Sequence, residues 1–418
     1  MIPEFLSALA KSVRSLIVGL LTGIVITFFA FTVAELGALN SAMPLLVLLL
    51  PLGAYATYKI YQVLGDSYKK ITSTAIDFIH DGEAKDSGRP RLDLTGLEIK
   101  PQMGIVSYIT AAISHLAGAS VGKEGVGVQI GLSIAELLRR ADTKALGEKR
   151  GRGDHWLMCG ASAAFAALFG SPIAGTLFGL YFSSPWNMRM TVMLPCLVSS
   201  YASVFIAEAL HIHRIVVPPY TIVSFSPYYC FVTVIFATLL GLMARAFVYL
   251  IEKFKEKVSH MFKNKAMNAV FPALLVMAAY LVIWALTGST AYQGLSLSLL
   301  YNSINGTGVA PYAFLLNAVL IFLSLAAGFQ GGEVVPLLVT GASFGYTFSS
   351  MLGLETGAFA VLGAIGMLSG GTNLPIVCFA LGLELFGYHD PALLFIVVAI
   401  AFLASGRKSI YQHQQLKL

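Results

Sequence analysis

Apolar residues in this chain neither alternate with polar ones nor recur on a single helical stripe; they run in long unbroken stretches. These occupy residues 15–34, 42–58, 156–182, 190–209, 222–251, 270–287, 310–327, 357–383 and 391–404. A helix needs roughly 20 residues to cross a hydrocarbon core, so the pattern predicts about nine spanning helices. None of the runs shows the in–out alternation of a lipid-facing barrel strand, which leaves helix as the spanning element. The expected fold class is an all-α polytopic membrane protein embedded in the lipid bilayer. Residues 1–14, with mixed charges ahead of the first run, read as an interfacial amphipathic helix leading into it. That run is too long for a signal-peptide core, and no small-residue cleavage site follows.

Composition agrees with the pattern. Of 418 residues, 57% are hydrophobic and 11% charged, and the mean hydropathy is +0.77. An ordinary soluble domain is about one quarter charged. Charge then supplies an orientation. Lys and Arg gather at Lys11 and Arg14, between Lys69 and Lys100, in 139–152, in 252–265, and at Arg407 and Lys408, with none between Lys265 and Arg407. The positive-inside rule puts these clusters and both termini in the cytoplasm of a cell-membrane protein. Basic loops beside anionic lipid account for the net charge of +6, and no nucleic-acid partner is expected. Cys159, Cys196, Cys230 and Cys378 stand singly in apolar stretches without metal spacing. They read as core packing, with no metal and no cofactor expected.

The chain repeats itself. "GASAAFAALFGSPIAGTLF" from Gly160 and "GAIGMLSGGTNLPIVCFAL" from Gly363 each carry a proline twelve positions on, Pro172 and Pro375, at an offset of 203. "GKEGVGVQIGLSIA" around Glu124 faces "GGEVVPLLVTGASFG" around Glu333 at an offset of 209. The order of these elements in each half predicts two membrane repeats, 15–211 and 212–406, followed by a segment 407–418. Whether the second copy is inverted is not decided by linear sequence.

Chemistry concentrates where glycine meets charge. "GASVGKEGVGVQIG" (118–131) sets Lys123 and Glu124 in an otherwise apolar, glycine-rich run. Glycines heading a helix at membrane depth leave unpaired backbone N–H groups, and those groups suit an anion. Two such broken helices, one per half, would converge on a midplane anion site. Glu124 could occupy that site when ionised and leave it when protonated, exchanging an anion for a proton.

The "GKEGVGVQIG" stretch resembles the G-(R/K)-E-G-P signature of the CLC chloride channels and transporters, with Val126 where proline is usual. "GFQGGEVVP" (328–336) is similar to the version carried by the fluoride-transporting branch, close to G-G-E-V-T-P, with Val335 in place of threonine. "GSPIAGTLF" and "SGRKSIYQ" also fit, the latter setting Tyr411 at the family's pore tyrosine. The resemblance spans about residue 15 to Tyr411. It implies a homodimer with one pore per subunit, and a transporter that exports fluoride in exchange for protons. Glu124 and Glu333 would be its gating and proton-coupling groups. Anion donors would be backbone groups at Gly122, Lys123, Gly125, Gly332, Val334 and Val335, with the Tyr411 hydroxyl. Two departures stand out. The first anion-binding loop of chloride members falls in "KKITSTAIDFIHDG", where only Ser73 aligns. The inner proton glutamate of chloride–proton exchangers falls near Tyr181 and Phe182, with no acid. A short tail follows Tyr411, so no soluble regulatory domain is expected there.

Other readings compete. A chloride–proton exchanger or a passive halide channel would use the same fold. Glu124 could pair structurally with Lys123, although neighbours one apart on a helix do not face each other. Glu333 could cap a helix, and His115 could be a packing histidine. Glu384 and Asp390 fall at the end of an apolar span, near an interface. "GASFG" (341–345) matches the G-x-S-x-G pattern of a serine hydrolase with Ser343 as nucleophile. Its surroundings read as continuous helix rather than the strand that a nucleophile elbow needs.

Overall fold

The apolar runs resolve into more helices than they number. The structure, a computed structural model, describes residues 2–86, 94, 96–146, 154–185, 190–211 and 215–414. Residues 147–152 of one basic cluster, and 87–93 and 95 of another, lie outside them. Sixteen α-helices occur among the described residues. The first eight are α1 Ile2–Ala42, α2 Leu50–Leu64, α3 Ile71–Asp86, α4 Gln102–Leu116, α5 Glu124–Leu146, α6 Asp154–Phe169, α7 Pro172–Tyr181 and α8 Met193–Ala209. The second eight are α9 Pro227–Ser259, α10 Lys265–Thr287, α11 Leu297–Asn305, α12 Ala313–Ala326, α13 Val334–Leu352, α14 Thr356–Thr372, α15 Pro375–Glu384 and α16 Pro391–Ser405.

Six helical stretches are long and apolar enough to cross a membrane. The others are short because local chemistry interrupts them. The run 156–182 breaks at Gly170 (φ +65°) and Pro172, and the run 357–383 breaks at Asn373 (φ +57°) and Pro375. A left-handed residue ends one helix, and a proline that cannot donate a backbone hydrogen bond begins the next. Hydropathy alone reads straight through both breaks. Residues 2–14 belong to the same helix as the first span rather than to a separate one.

The halves repeat each other in packing. α5 crosses α6 where Gly131 meets Gly160, and α13 crosses α14 where Gly341 meets Gly363; in each pair a Cβ on one glycine would run into the backbone carbonyl of the other. Small residues let backbones approach closely where lipid offers no hydrophobic drive to association. The two pairs stand at offsets of 210 and 203, the second matching the proline repeat. α1 packs on α8 and α6 as α9 packs on α16 and α14.

Two helical hairpins carry the centre. At the base of the first, Arg140 near the end of α5 donates to the Ile99 carbonyl (2.7 Å) and the Glu98 carboxylate (2.8 Å), just ahead of α4. Both feet of that hairpin therefore stand on the face that carries the basic residues. At the base of the second, Thr347 in α13 donates to the Pro311 carbonyl (3.2 Å), just before α12. The tips meet head-on. Gly122 N–H donates to Gly332 O and Gly332 N–H to Gly122 O, both at 2.8 Å, as an isolated antiparallel bridge. The hairpins enter from opposite faces, so the second copy is inverted.

Replacing Gly160 with leucine should drive α5 and α6 apart. A thermal melt of detergent-purified protein should show a clear drop in melting temperature, for a cost of about 1–3 kcal/mol or more. An unchanged melt would contradict the close crossing.

Candidate functional site

The Gly122–Gly332 bridge sets the register of everything around it. It pairs positions 210 apart, one more than the glutamate-to-glutamate spacing of the motifs. Lys123 is thus equivalent to Glu333, and Glu124 to Val334, each of the latter two being the first residue of its helix. Helix starts leave their first backbone N–H groups without intrahelical partners. On α5 these belong to Glu124, Gly125 and Val126, because Gly127 already donates to the Lys123 carbonyl. On α13 they belong to Val334 and Val335; Pro336 has none, and Leu337 donates to the Glu333 carbonyl. Two positive helix ends therefore converge within one bridged pair of loops.

Glycine is required there by contact. A Cβ on Gly122 would lie 2.8 Å from Glu124 Oε2, 2.8 Å from the Gly332 carbonyl and 2.9 Å from Pro336 Cδ. One on Gly125 would lie 3.0 Å from Gly332 Cα. The Glu124 carboxylate thus folds back over Gly122 and against the start of α13. It is 1% exposed. The backbone amides that act on it are those of Lys123, of Glu124 itself and of Val335 in the other half. Neither oxygen makes a hydrogen bond of full geometry. No ion pair within 4 Å joins it to Lys123 among the described residues, although the two charges act on each other.

Glu333 precedes α13, but its side chain caps nothing. Its Oε1 instead accepts from Lys255 Nζ at 3.2 Å. That pair lines a cavity of about 270 Å³ on the basic face, with Glu252, Ser409 and Gln412. Tyr411 reaches the same region because Ile410 N–H donates to the Gly371 carbonyl (2.9 Å) and turns the tail back against α14. Cys378, Glu333 and Glu124 all lie within electrostatic reach of its phenol. The Tyr411 ring lies edge-on to Phe178 (5.8 Å between centroids), which stacks on Phe165 (4.4 Å) and Phe182 (5.4 Å). Rings occupy the stretch where an exchanger of chloride and protons would carry its inner acid.

On the side away from the basic face, Lys123, His115, Asn40 and Gln293 line a second cavity of about 230 Å³. Lys123 and Glu333 each stand one residue from the bridged glycines, so the two cavities flank the junction.

Ser73 has its hydroxyl engaged at the start of its own helix. It sits in the first turn of α3 and its hydroxyl donates to the Lys70 carbonyl (3.1 Å). Ser343 lies inside α13, fully buried, donating to the Val339 carbonyl (2.8 Å). That position is no nucleophile elbow. Two participants escaped the motifs. Lys255 belongs to a run that reads as a solvated basic cluster. Glu384, in the last turn of α15, accepts from Ile173 N–H (2.9 Å) and Ala174 N–H (2.8 Å) and so caps α7 across the two halves. No signal in the sequence pointed to it, because Ser171 stands at the N-cap of α7 and only the structure shows its hydroxyl turned to the Phe169 carbonyl (3.3 Å). Asp390, expected beside it near an interface, caps α16 through Leu393 N–H (3.0 Å).

Known proteins share this architecture. The chain is 28% identical over 414 residues to a chloride/fluoride channel protein of Pseudomonas syringae pv. tomato, covering 96% of this chain and 85% of that one. It is 22% identical over 291 residues to an H(+)/Cl(-) exchange transporter of Vibrio cholerae serotype O1, covering 65% of this chain and 60% of that one. A crystal structure of a CLC-type fluoride/proton antiporter superimposes with a TM-score of 0.83 at 25% identity, over 97% of this chain and 98% of that one. The family model described as voltage gated chloride channel matches residues 80–406. With tip-to-tip hairpins of the same fold and more than half its length inside that match, the chain belongs to the voltage gated chloride channel (CLC) family of membrane anion transport proteins.

Proposed function

We propose that this protein exports fluoride across the cell membrane in exchange for protons, with Glu124 as the coupling gate. The observation that carries the proposal is the Glu124 carboxylate folded between two inverted helix starts. It takes the position in which an anion would meet the free N–H groups of α5 and α13. An ionised carboxylate and a bound anion compete for those donors, whereas a protonated one yields them. One titrating group then links the two movements. The basic face and both termini are cytoplasmic in this reading, in keeping with the distribution of Lys and Arg.

Fluoride is favoured by the second-half motif "GGEVVP", by the likeness to the crystal structure of a CLC-type fluoride/proton antiporter, and by the likeness to a chloride/fluoride channel protein. A small, strongly hydrated anion needs several well-directed donors to repay its dehydration. Backbone groups from Gly122 to Gly125 and from Gly332 to Val335, with the Tyr411 hydroxyl, supply them. Glu333 takes part from the cytoplasmic cavity, held by Lys255. The functional unit is a homodimer in lipid with one pathway in each subunit, as the resemblance implies. A passive halide channel is the second reading, supported by the word channel in the name of the Pseudomonas relative.

Flux is measured with purified protein in vesicles, and stability by a thermal melt of the same protein in detergent. Fluoride flux should exceed chloride flux and should carry protons the opposite way. Equal or faster chloride flux would defeat the fluoride assignment, and flux without pH change would favour the channel. Glu124→Gln should abolish fluoride-driven proton uptake and leave any residual anion flux independent of pH, while Glu124→Ala should leave an unobstructed path. Undiminished coupling in Glu124→Gln would show that protons travel elsewhere. Glu333→Gln should slow turnover and barely move the thermal melt, because a partly exposed ion pair is worth about 0–1 kcal/mol. A destabilised protein with normal turnover would make Glu333 structural.

A further inference from the structure

Where α9 and α16 reach the basic face, cations from both gather around one hollow. Arg245 is the first charged residue of α9, after an uncharged stretch of roughly the length that crosses a hydrocarbon core. α16 carries no charge, and Arg407 and Lys408 follow its end. Gly406 makes the turn with φ +82° and ψ −151°, a conformation reserved for glycine. Beyond it the backbone is pinned inward. The Arg407 carbonyl accepts from Asn373 Nδ2 (3.3 Å), and Ile410 N–H donates to the Gly371 carbonyl. The Arg407 and Lys408 side chains stay exposed and, with Arg245, line a hollow of about 790 Å³ whose α9 wall is Leu242, Ala246 and Tyr249. No acidic residue lines it among the described residues. Lys408 reaches Glu252 (2.6 Å), but neither guanidinium group has a partner among the described residues.

Like charges gathered where water gives way to lipid repel one another unless an anion joins them, and a guanidinium meets phosphate oxygens two at a time. Leu242 and Tyr249 are exposed beside those cations. A free phosphate would use the cations and leave that apolar wall bare, whereas a phospholipid uses both. We infer that the hollow binds the headgroup of an anionic phospholipid from the leaflet on the basic face. Arg245 and Arg407 hold the phosphate, and an acyl chain lies against Leu242. The site also touches the ion path. Glu252, the partner of Lys408, lines the Glu333 cavity on the neighbouring face of α9. A phosphate that draws Lys408 away leaves the Glu252 charge unbalanced in that cavity, where it repels an entering anion. This consequence rests on the transport reading above; the binding does not.

Native mass spectrometry of the full-length protein in detergent, titrated with phosphatidylglycerol or phosphatidylcholine, measures the binding. The first phosphatidylglycerol should bind several-fold more tightly than the first phosphatidylcholine, and Arg245→Gln with Arg407→Gln should abolish that preference. Lys253→Gln with Lys257→Gln, which takes two charges from α9 outside the hollow, should keep it. Equal affinity for the two lipids, or a preference lost alike in both double variants, overturns the site. Glycerol phosphate at the same concentration should not compete; full competition would make this a site for free phosphate and overturn the lipid. The wild-type preference and the competition need no variant to fold. In vesicles, anion flux should fall as phosphatidylglycerol replaces phosphatidylcholine, several-fold more in the wild type than in Arg245→Gln with Arg407→Gln. An equal fall would break the link through Lys408. A wild type that moves no anion defeats the transport reading instead, and lipid affinity then decides the hollow alone.

Discussion

Two hydrogen bonds between Gly122 and Gly332 hold the architecture to its purpose. Each residue donates to and accepts from the other at 2.8 Å. Symmetry-equivalent residues that pair antiparallel define a local two-fold axis between them. Every element that shapes the ion path is placed relative to that axis. The starts of α5 and α13 face one another because their preceding loops are tied. The Glu124 carboxylate finds its bed because Gly122 offers no side chain. These backbone hydrogen bonds tie the loops without consuming the helix-start donors. Elsewhere at membrane depth, irregular backbone is tolerated only where it is buried in protein or lines a cavity; here it does both.

Equivalence under that axis also creates a difference. Position 123 carries lysine and its counterpart 333 carries glutamate, so the two loops present opposite charges to opposite faces. Glu333 is balanced by Lys255 within the basic-side cavity. Lys123 is in no ion pair of that kind among the described residues, and its cavity is lined by His115, Asn40 and Gln293. An inverted duplication thus yields a path that is symmetric in backbone and polar in direction.

Much of this was legible in the sequence, for definite reasons. Long apolar runs are forced by lipid, and glycine–glutamate elements at membrane depth are too costly to be incidental. The Gly160 and Gly363 repeats were readable because close helix crossings need glycine in both copies. What escaped did so on equally physical grounds. Hydropathy does not register a break made by Gly170 and Pro172, since all the flanking residues are apolar. Register slipped by one because two glutamates look alike as letters while the fold aligns helix starts. Lys255 lies 78 residues before Glu333, and Gln293 lies 170 after Lys123, distances over which a linear motif carries no information. Ser73 rests on alignment alone, and its hydroxyl is spent on the Lys70 carbonyl just before its own helix.

The bridged tips come from segments made far apart in time. At roughly 5–20 residues per second, the ribosome finishes the loop around Gly332 about 10–40 seconds after the one around Gly122. During that interval the first hairpin can enter the membrane, yet its amides, its carboxylate and its buried lysine have nothing to close against. A half-made chain therefore has no ion path to leak through. The conduit comes into being only when the second hairpin arrives from the other face, which makes its assembly a checkpoint on the completeness of the chain.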